Sequence, residues 1–300
     1  MAKRFSAILD RAKEISKHTI AENSQATYSQ YINLYEEAMV HLETEPYEIN
    51  IDKMMVFIQF GKDEGYTYNT LKCCIAAFSY YFRSNNLPNL TQDVEFTNFH
   101  KGVLRDMKTN KNPNRKLPWN PQFFDSYLDL YPLNQFTDTL FLFYMTLSYY
   151  GFLRISELQN LKFQDIVFDS QEERLILNIR FSKTDQFGKG EKTFVYDNDK
   201  EYSPYKLYQI LKESIEDYEY IVQSTGNALR SHLKVILKRL GQNKDDYSWH
   251  SFRRGGAYQA ALAGVNDSEI KKHGRWKSDA YIRYVAVDPE RAGSSISSKI

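Results

Sequence analysis

Two short motifs in the second half of the chain combine residue types that bind anions and move protons. His250-Ser-Phe-Arg253 places an imidazole and a guanidinium three residues apart, so on a helix the two side chains project side by side. Arg154-Ile-Ser-Glu157 places an arginine and a glutamate at the same spacing within an apolar stretch. A buried arginine is costly unless it is paired or faces an anion, and Glu157 is close enough to hold it. Either motif alone is more often an ordinary surface feature.

A third motif, Gly-Arg-Trp-Lys-Ser-Asp-Ala-Tyr-Ile-Arg-Tyr, occupies residues 274–284. It combines an indole N–H donor, basic residues and two tyrosines, Tyr281 and Tyr284. The chain has 23 tyrosines, so composition alone does not select a nucleophile among them. His232 and His273 lie outside the signature positions and are expected to be surface or packing residues, and Trp249 is expected to pack in the core.

In their order and approximate spacing, these motifs resemble the tyrosine recombinases of the phage-integrase type. The signature of that family is arginine, lysine, His-x-x-Arg, histidine or tryptophan, and then tyrosine. The Gly-Arg-Trp-Lys-Ser-Asp form is also similar to the recombinases of certain mobile elements. The resemblance covers residues from about 118 to 285, and the signature falls on Arg154, Lys183, His250, Arg253, Trp276 and Tyr284.

The resemblance implies site-specific DNA recombination through a covalent 3′-phosphotyrosine and a Holliday junction. Tyr284, eight residues after Trp276, is implied as the nucleophile. Many family members use a spacing of nine, from which Tyr284 departs by one residue. The alternative nucleophile is Tyr281, five residues after Trp276. His250 is implied as the acceptor of the phenol proton or as a hydrogen-bonding partner of the phosphate, and Trp276 as an indole donor to a phosphate oxygen.

The remaining implied roles belong to charged residues. Arg154 and Arg253 would clamp the non-bridging phosphate oxygens and stabilise the charge that develops in the transition state. Lys183 would protonate the leaving 5′ oxygen, and Glu157 would hold Arg154 in place. No metal and no cofactor are expected, because the cations supply the positive charge.

The implied partner is double-stranded DNA, bound by a homotetramer with one dimer at each site. We expect an intracellular location with DNA and no membrane association. Two alternatives stay open from the sequence, namely a type IB-like DNA topoisomerase and a catalytically inactive DNA-binding remnant of a mobile element. Joining of two DNA molecules distinguishes the recombinase from the topoisomerase, which relaxes one.

Composition is that of an ordinary globular protein, with 300 residues, 42% hydrophobic and 26% charged residues, and a net charge of +1. The two cysteines are adjacent, which suits neither a disulfide framework nor a zinc site. Basic residues concentrate between residues 101 and 118, where a near-neutral total charge can conceal a surface for a polyanion. The candidate DNA-binding residues there are Arg105, Lys108, Arg115 and Lys116.

These motifs require elements that position them, and hydrophobic periodicity predicts a mainly α fold with a small antiparallel β-sheet. The segment 111–118 is polar, basic and contains proline, which is typical of a linker. We therefore predict a helical core-binding domain that clamps DNA over residues 1–110 and an α+β catalytic domain of the tyrosine-recombinase type over residues 119–300.

Three helices are predicted in the first domain: one near residues 28–42 with Ser24 as its cap, one near residues 71–82 after Thr67 or Asn69, and one over Asn98–Met107. The second domain is predicted to have helices Pro121–Tyr131, Asp138–Gly151, Tyr205–Val222 and Ala228–Leu240, followed by helical segments broken at Gly264 and Gly274. Its strands are predicted at Glu173–Phe181 and Lys192–Tyr196.

Overall fold

The computed structural model describes Ile8, Arg11 and residues 22–108, 116–180, 190–215 and 219–285. The chain divides into two compact units, Met1–Pro113 and Asn114–Ile300. Most of the predicted linker lies outside the described residues, so its role and the proposed domain functions remain predictions. No helix in the described part of the chain is long and apolar enough to cross a membrane.

Within residues 22–108, the first unit has four α-helices around an aromatic core. Tyr35, Phe57 and Phe78 are fully or almost fully buried, and their rings meet edge to face at centroid distances of 5.3–5.8 Å. Such pairs stabilise a core beyond the burial of their area. The helices are α1 (Glu22–His41), α2 (Ile51–Asp63), α3 (Tyr68–Ser84) and α4 (Val94–Lys108).

Local capping explains where some of these helices begin. Thr67 caps α3, because its side chain accepts a hydrogen bond from the backbone N–H of Thr70. The same contact resolves the choice between Thr67 and Asn69. The prediction for Ser24 is wrong, since α1 already includes Glu22. Helix α2 was not predicted, although Asn50 caps it through the backbone N–H of Lys53.

The second unit combines eight helices, among its described residues, with one antiparallel three-stranded sheet of order β1-β2-β3. Alternating burial along β2 explains the strand, since every second side chain enters the core. Register pairs Leu177 with Ile166 on one side and with Thr193 on the other. The elements are α5 (Gln122–Leu130), α6 (Phe136–Tyr150), α7 (Ile155–Gln159), β1 (Ile166–Asp169), β2 (Arg174–Ile179), β3 (Glu191–Tyr196), α8 (Pro204–Leu211), α9 (Gly226–Arg239), α10 (His250–Leu262), α11 (Asp267–His273) and α12 (Ile282–Val285).

Helix α9 has the predicted amphipathic character. Leu229, Leu233 and Leu237 are buried, whereas the basic side chains Arg230 and Lys234 are exposed. The helix therefore packs through its apolar face and presents a basic face to solvent.

The predicted helix Tyr205–Val222 is wrong beyond Leu211, where α8 ends. Downstream backbone groups pair with another segment instead: the N–H of Ile221 donates to Leu161 at 3.0 Å, and Glu219 accepts from Phe163 at 3.1 Å. The acidic residue at 219 would also lie in the last turn of the predicted helix, where it repels the partial negative charge of the helix end. Strand β1 is a further element that was not predicted.

The central contact of the second unit joins α10 to α6. A Cβ atom on Gly256 would lie 2.2 Å from the carbonyl oxygen of Tyr149 and 2.6 Å from the ring of Phe152. Only glycine allows this approach of two backbones. The contact brings the first turn of α10 next to the segment that leads from α6 into α7.

Candidate active site

The first turn of α10 carries His250 and Arg253, and the backbone between α6 and α7 carries Arg154. Arg154 stands at the start of α7, where its backbone N–H donates to Glu157 Oε2 at 3.0 Å. Its guanidinium also pairs with Glu157 Oε1. The side chain of Arg154 is 19% exposed, which leaves it able to meet a ligand.

Glu157 is the centre of a buried cluster of charges. Its side chain is fully buried and its Oε2 atom lies 3.1 Å from Arg275 Nη2 and 3.8 Å from Arg253 Nη1. Burial alone would raise the pKa of Glu157, but the charges of Arg275 and Arg154 outweigh it and hold the pKa below its usual value. One carboxylate thus serves three guanidiniums.

Arg253 belongs to this cluster and is completely buried. Its guanidinium donates to the carbonyl oxygens of Phe152 and Gly274, and its Cζ atom lies 4.3 Å from the centroid of the Trp276 ring. Burial and the neighbouring Arg154 lower the pKa of Arg253 to about 9, so the side chain is still a cation at neutral pH. Its Nε atom has no hydrogen-bond partner among the described residues.

Trp276 follows α11 and is 8% exposed. Its ring lies across Gly274, where a Cβ atom would fall 1.7 Å from the indole. The indole ring also contacts the ring of Tyr284, at a centroid distance of 5.6 Å. The indole therefore contacts both the buried Arg253 and Tyr284 of the last described helix, α12.

The hydroxyl group of Tyr284 lies 2.8 Å from His250 Nε2. His250 keeps part of its surface in solvent, but burial of the ring and the charges of Arg253, Arg154 and Arg254 lower its pKa to about 4. Glu157 opposes this shift. A neutral imidazole with its proton on Nδ1 can accept the phenol proton at Nε2. The contact thus pairs a phenol with a group that can accept its proton.

Tyr281 has a different environment. The side chain is buried, and its hydroxyl donates to Asp267 Oδ2 at 3.3 Å. Burial and the charge of Asp267 raise the pKa of Tyr281, which makes it a weaker source of phenolate. Of the two tyrosines, only Tyr284 contacts His250 in the described structure.

The structure brings together Arg154, His250, Arg253, Trp276 and Tyr284, with Glu157 beneath them. Lys183 lies outside the described residues, so its role remains a prediction. The same is true of Arg115 and of the side chain of Lys108. Arg105 is exposed on α4, whereas the ammonium group of Lys116 donates to the carbonyl oxygen of Asp245.

Other residues have the packing roles that the sequence suggested. His273 contacts the carbonyl oxygen of Tyr150 at 2.8 Å, and His232 packs on the ring of Phe141 at 4.3 Å. Trp249 is buried and donates to Ser148 Oγ at 3.0 Å.

Sequence reasoning missed Arg275, although it included the residue in the third motif. Arg275 is 6% exposed and donates to Glu157 and to the carbonyl oxygens of Gly151, Phe152 and His273. An arginine between a glycine and a tryptophan was the available signal. Its partners belong to a distant part of the sequence, so the signal did not show what it binds.

The site has arginines that are buried or partly buried beside a tyrosine that is hydrogen-bonded to a histidine. Together with a mainly helical unit and a three-stranded sheet, this arrangement indicates the tyrosine recombinase class. The profile of the phage integrase family matches residues 131–291, more than half of the chain. The chain therefore belongs to the phage integrase family, the tyrosine recombinases.

Solved structures share the fold at low sequence identity. The Tn1549 transposon integrase in complex with transposon right end DNA matches with a TM-score of 0.66 and 15% identity, covering 96% of this chain and 97% of that one. A lambda integrase dimer bound to a COC′ core site has a TM-score of 0.59 and 17% identity, with 93% and 76% covered. The XerH recombinase bound to a palindromic difH substrate has a TM-score of 0.62 and 15% identity, with 91% and 78% covered. No curated protein matches the sequence significantly.

Proposed function

We propose that this protein is a site-specific DNA recombinase that cleaves and rejoins strands through a covalent 3′-phosphotyrosine at Tyr284. The observation that carries the proposal is the 2.8 Å contact between the Tyr284 hydroxyl and His250 Nε2, next to the arginine cluster. Membership of the phage integrase family supports the reaction class. The matched Tn1549 and lambda integrases were solved with DNA, which supports double-stranded DNA as the substrate.

Arg154 is the arginine best placed to bind the scissile phosphate, because its side chain is partly exposed. Arg253 is buried and donates hydrogen bonds to two backbone carbonyl oxygens. It therefore contributes positive charge to the site from within the protein. Both positive charges stabilise the dianionic transition state more than the monoanionic phosphodiester of the ground state. A single such donor is commonly worth about 2.7–4 kcal/mol of barrier.

The nucleophile must lose a proton as it attacks. An ordinary phenol is only about 0.1% ionised at neutral pH, so the reaction needs a proton acceptor. The low pKa of His250 keeps its imidazole neutral and able to accept that proton.

The bond changes balance without any further reactant. The Tyr284 oxygen forms a bond to phosphorus, its proton passes to His250, and the bond from phosphorus to the 5′ oxygen breaks. Lys183 would give that oxygen its proton, and Trp276 would donate its indole N–H to a phosphate oxygen. A 5′ hydroxyl from a second duplex then reverses these steps and releases Tyr284.

The exchange of strands between two duplexes requires several copies of the site. We place a dimer at each site and a homotetramer at the synapse. The basic residues near the predicted linker and the exposed basic face of α9 are available to bind phosphates of the duplex.

Covalent capture tests the proposal. The protein is incubated with a pool of nicked, random-sequence duplexes, and adducts that resist SDS are separated and sequenced. We expect an adduct with the wild-type protein and with Tyr281→Phe, and none with Tyr284→Phe. Tyr281→Phe is the matched control, since it removes the other hydroxyl of the same motif.

The outcomes separate the alternatives. Loss of the adduct only in Tyr281→Phe would contradict the assignment of Tyr284 while retaining the family chemistry. An adduct with relaxation of one DNA molecule, and no joining of two, would indicate a topoisomerase. DNA binding with no adduct from the wild-type protein would contradict strand cleavage and indicate an inactive remnant.

A further inference from the structure

Two buried residues beside the arginine cluster have a strained backbone. Seven non-glycine residues in the described part of the chain have a positive φ, and two of these, Phe152 and Arg275, are buried. Their φ angles are 47° and 56°, in the left-handed region that favours glycine. The two residues contact each other, because Arg275 Nη2 donates to the carbonyl oxygen of Phe152 at 3.0 Å. Strain that persists at a buried pair is often tied to function.

The Arg275 side chain joins two distant segments of the sequence. It comes from the segment that carries Trp276 and Tyr284, and it donates to the carbonyl oxygens of Gly151 at 3.2 Å and Phe152 at 3.0 Å. Those carbonyls precede Arg154 by two or three residues. The planar guanidinium can hold several acceptors in a fixed geometry, which an ammonium group cannot do.

Arg275 also supplies charge to the cluster without reaching a ligand. Its Nη2 atom lies 3.1 Å from Glu157 Oε2, while its side chain is only 3% exposed. The side chain of Arg154 on the same carboxylate is 19% exposed. One arginine is thus available to the substrate and the other is enclosed by protein.

We propose that Arg275 is a positioning residue for strand cleavage, which locks the segment of Trp276 and Tyr284 onto the segment of Arg154 through Glu157 and two backbone carbonyls. It does not touch the DNA. This inference rests on the proposed function for its catalytic consequence, but the contact of Arg275 with Glu157 is present in the protein without DNA.

The variant Arg275→Gly tests the role, because glycine adopts a φ of 56° without strain while the whole side chain, including the guanidinium, is lost. Arg275→Lys keeps the charge but not the fork of donors. Asp199→Gly is the matched control, since Asp199 is exposed and has a φ of 62°.

The first measurement is the NMR titration of His250 in the DNA-free protein. The charged groups around this ring are Arg253, Arg154, Arg254 and Glu157, with the Tyr284 hydroxyl on Nε2. Without Arg275, the Glu157 carboxylate is less compensated and raises the pKa of His250 more strongly. We expect His250 of Arg275→Gly to titrate at a higher pH than wild type, and both Arg275→Lys and Asp199→Gly to titrate as wild type does.

The second measurement is the first-order rate of adduct formation on a nicked duplex at saturating protein. Misplacement of reacting groups by about 1 Å can cost about 10²-fold, so we expect a loss of that order in Arg275→Gly with unchanged DNA affinity. Arg275→Lys should fall between Arg275→Gly and wild type.

Two results would overturn the inference. One is a His250 titration in Arg275→Gly that matches wild type, and the other is an adduct rate within threefold of wild type. If the wild-type protein forms no adduct, the proposed function fails, and the His250 titration still decides the role of Arg275.

Discussion

At the scale of single residues, the site is organised by one carboxylate rather than by the arginines that would bind phosphate. Glu157 is fully buried and contacts the guanidiniums of Arg154, Arg253 and Arg275. Buried ions of this kind are stable only when they are mutually compensated. The position of each guanidinium therefore depends on a group that never meets the substrate.

Substitution of Glu157 by glutamine should destabilise the fold. Three arginines would lose their shared counter-charge, and breaking a buried ion pair costs about 3–5 kcal/mol. Urea denaturation measures the difference in the free energy of unfolding. The control is Asp169→Asn. It removes the charge of an ion pair with Arg174 that is more exposed than the pairs of Glu157, so it should change stability far less. Equal effects of the two variants would argue against a special role for Glu157.

The low pKa of His250 predicts how stability depends on pH. The pKa is about 4 in the folded protein and near 6.5 when the chain is unfolded, so the unfolded state binds more protons between these values. Stability contributed by neutral His250 is present above about pH 6.5 and is lost as the pH falls toward 4.

The variant His250→Gln removes this proton uptake while keeping an amide next to Tyr284. We expect its free energy of unfolding to fall less than that of wild type between pH 7 and pH 5. His100, His232 and His273, whose pKa values are also lowered by burial, provide the remaining dependence in both proteins. Parallel curves for the two proteins would contradict the low pKa of His250.

At the scale of elements, the site depends on how closely α10 can approach α6. Gly256 permits the contact, since a Cβ atom there would collide with the carbonyl oxygen of Tyr149. The same approach brings His250 and Arg253 near the segment that carries Arg154. A helix with the right side chains on the right face is thus insufficient without this close contact.

Gly256→Ala should therefore destabilise the second unit, by about 1–3 kcal/mol as for other overpacked cores, and should slow strand cleavage. Gly102→Ala is a matched control in helix α4, because a Cβ atom at Gly102 meets nothing within 4 Å. Alanine there is expected to be neutral or to stabilise by up to about 1 kcal/mol. Chemical denaturation of both variants gives the comparison, and a neutral Gly256→Ala would disprove the close contact.

At the scale of the whole molecule, the chain divides into two compact units, and the boundary between them falls within a basic part of the sequence. Each described unit has its own hydrophobic core. The net charge of the chain is only +1, but its basic residues are concentrated between residues 101 and 118, where they can form a surface for a polyanion.

Binding to duplex DNA should weaken steeply with salt, as expected when basic side chains displace the counterions of the DNA phosphates. Arg105→Ala and Arg115→Ala should each reduce the slope of log Kd against log salt by about 1, with similar effects on all sequences. Lys200→Ala, an exposed charge outside this basic segment, is the control and should leave the slope unchanged. Fluorescence anisotropy at several salt concentrations measures the slope, and equal slopes for all variants would exclude the basic segment from the interface.

Much of this protein was accessible from local sequence patterns. The 3.6-residue period predicted most helices, including α9 with Leu229 and Leu233 on its buried face, because burial of an apolar stripe is decided within one element. The ordered motifs indicated the family that the profile then confirmed. Long-range backbone pairing was invisible to such patterns, which is why α8 was predicted too long and β1 was missed.

Tertiary structure decided which groups meet. The sequence left Tyr281 open as the alternative to Tyr284, and it could not show that the two hydroxyls have different partners, Asp267 for Tyr281 and His250 for Tyr284. The fold also buries Arg275 against Glu157, 118 residues away in the sequence. The physical reason is the same in both cases: hydrogen bonds and charge compensation act between atoms that only folding brings within a few ångströms, so residue type and spacing determine the available chemistry but not its partners.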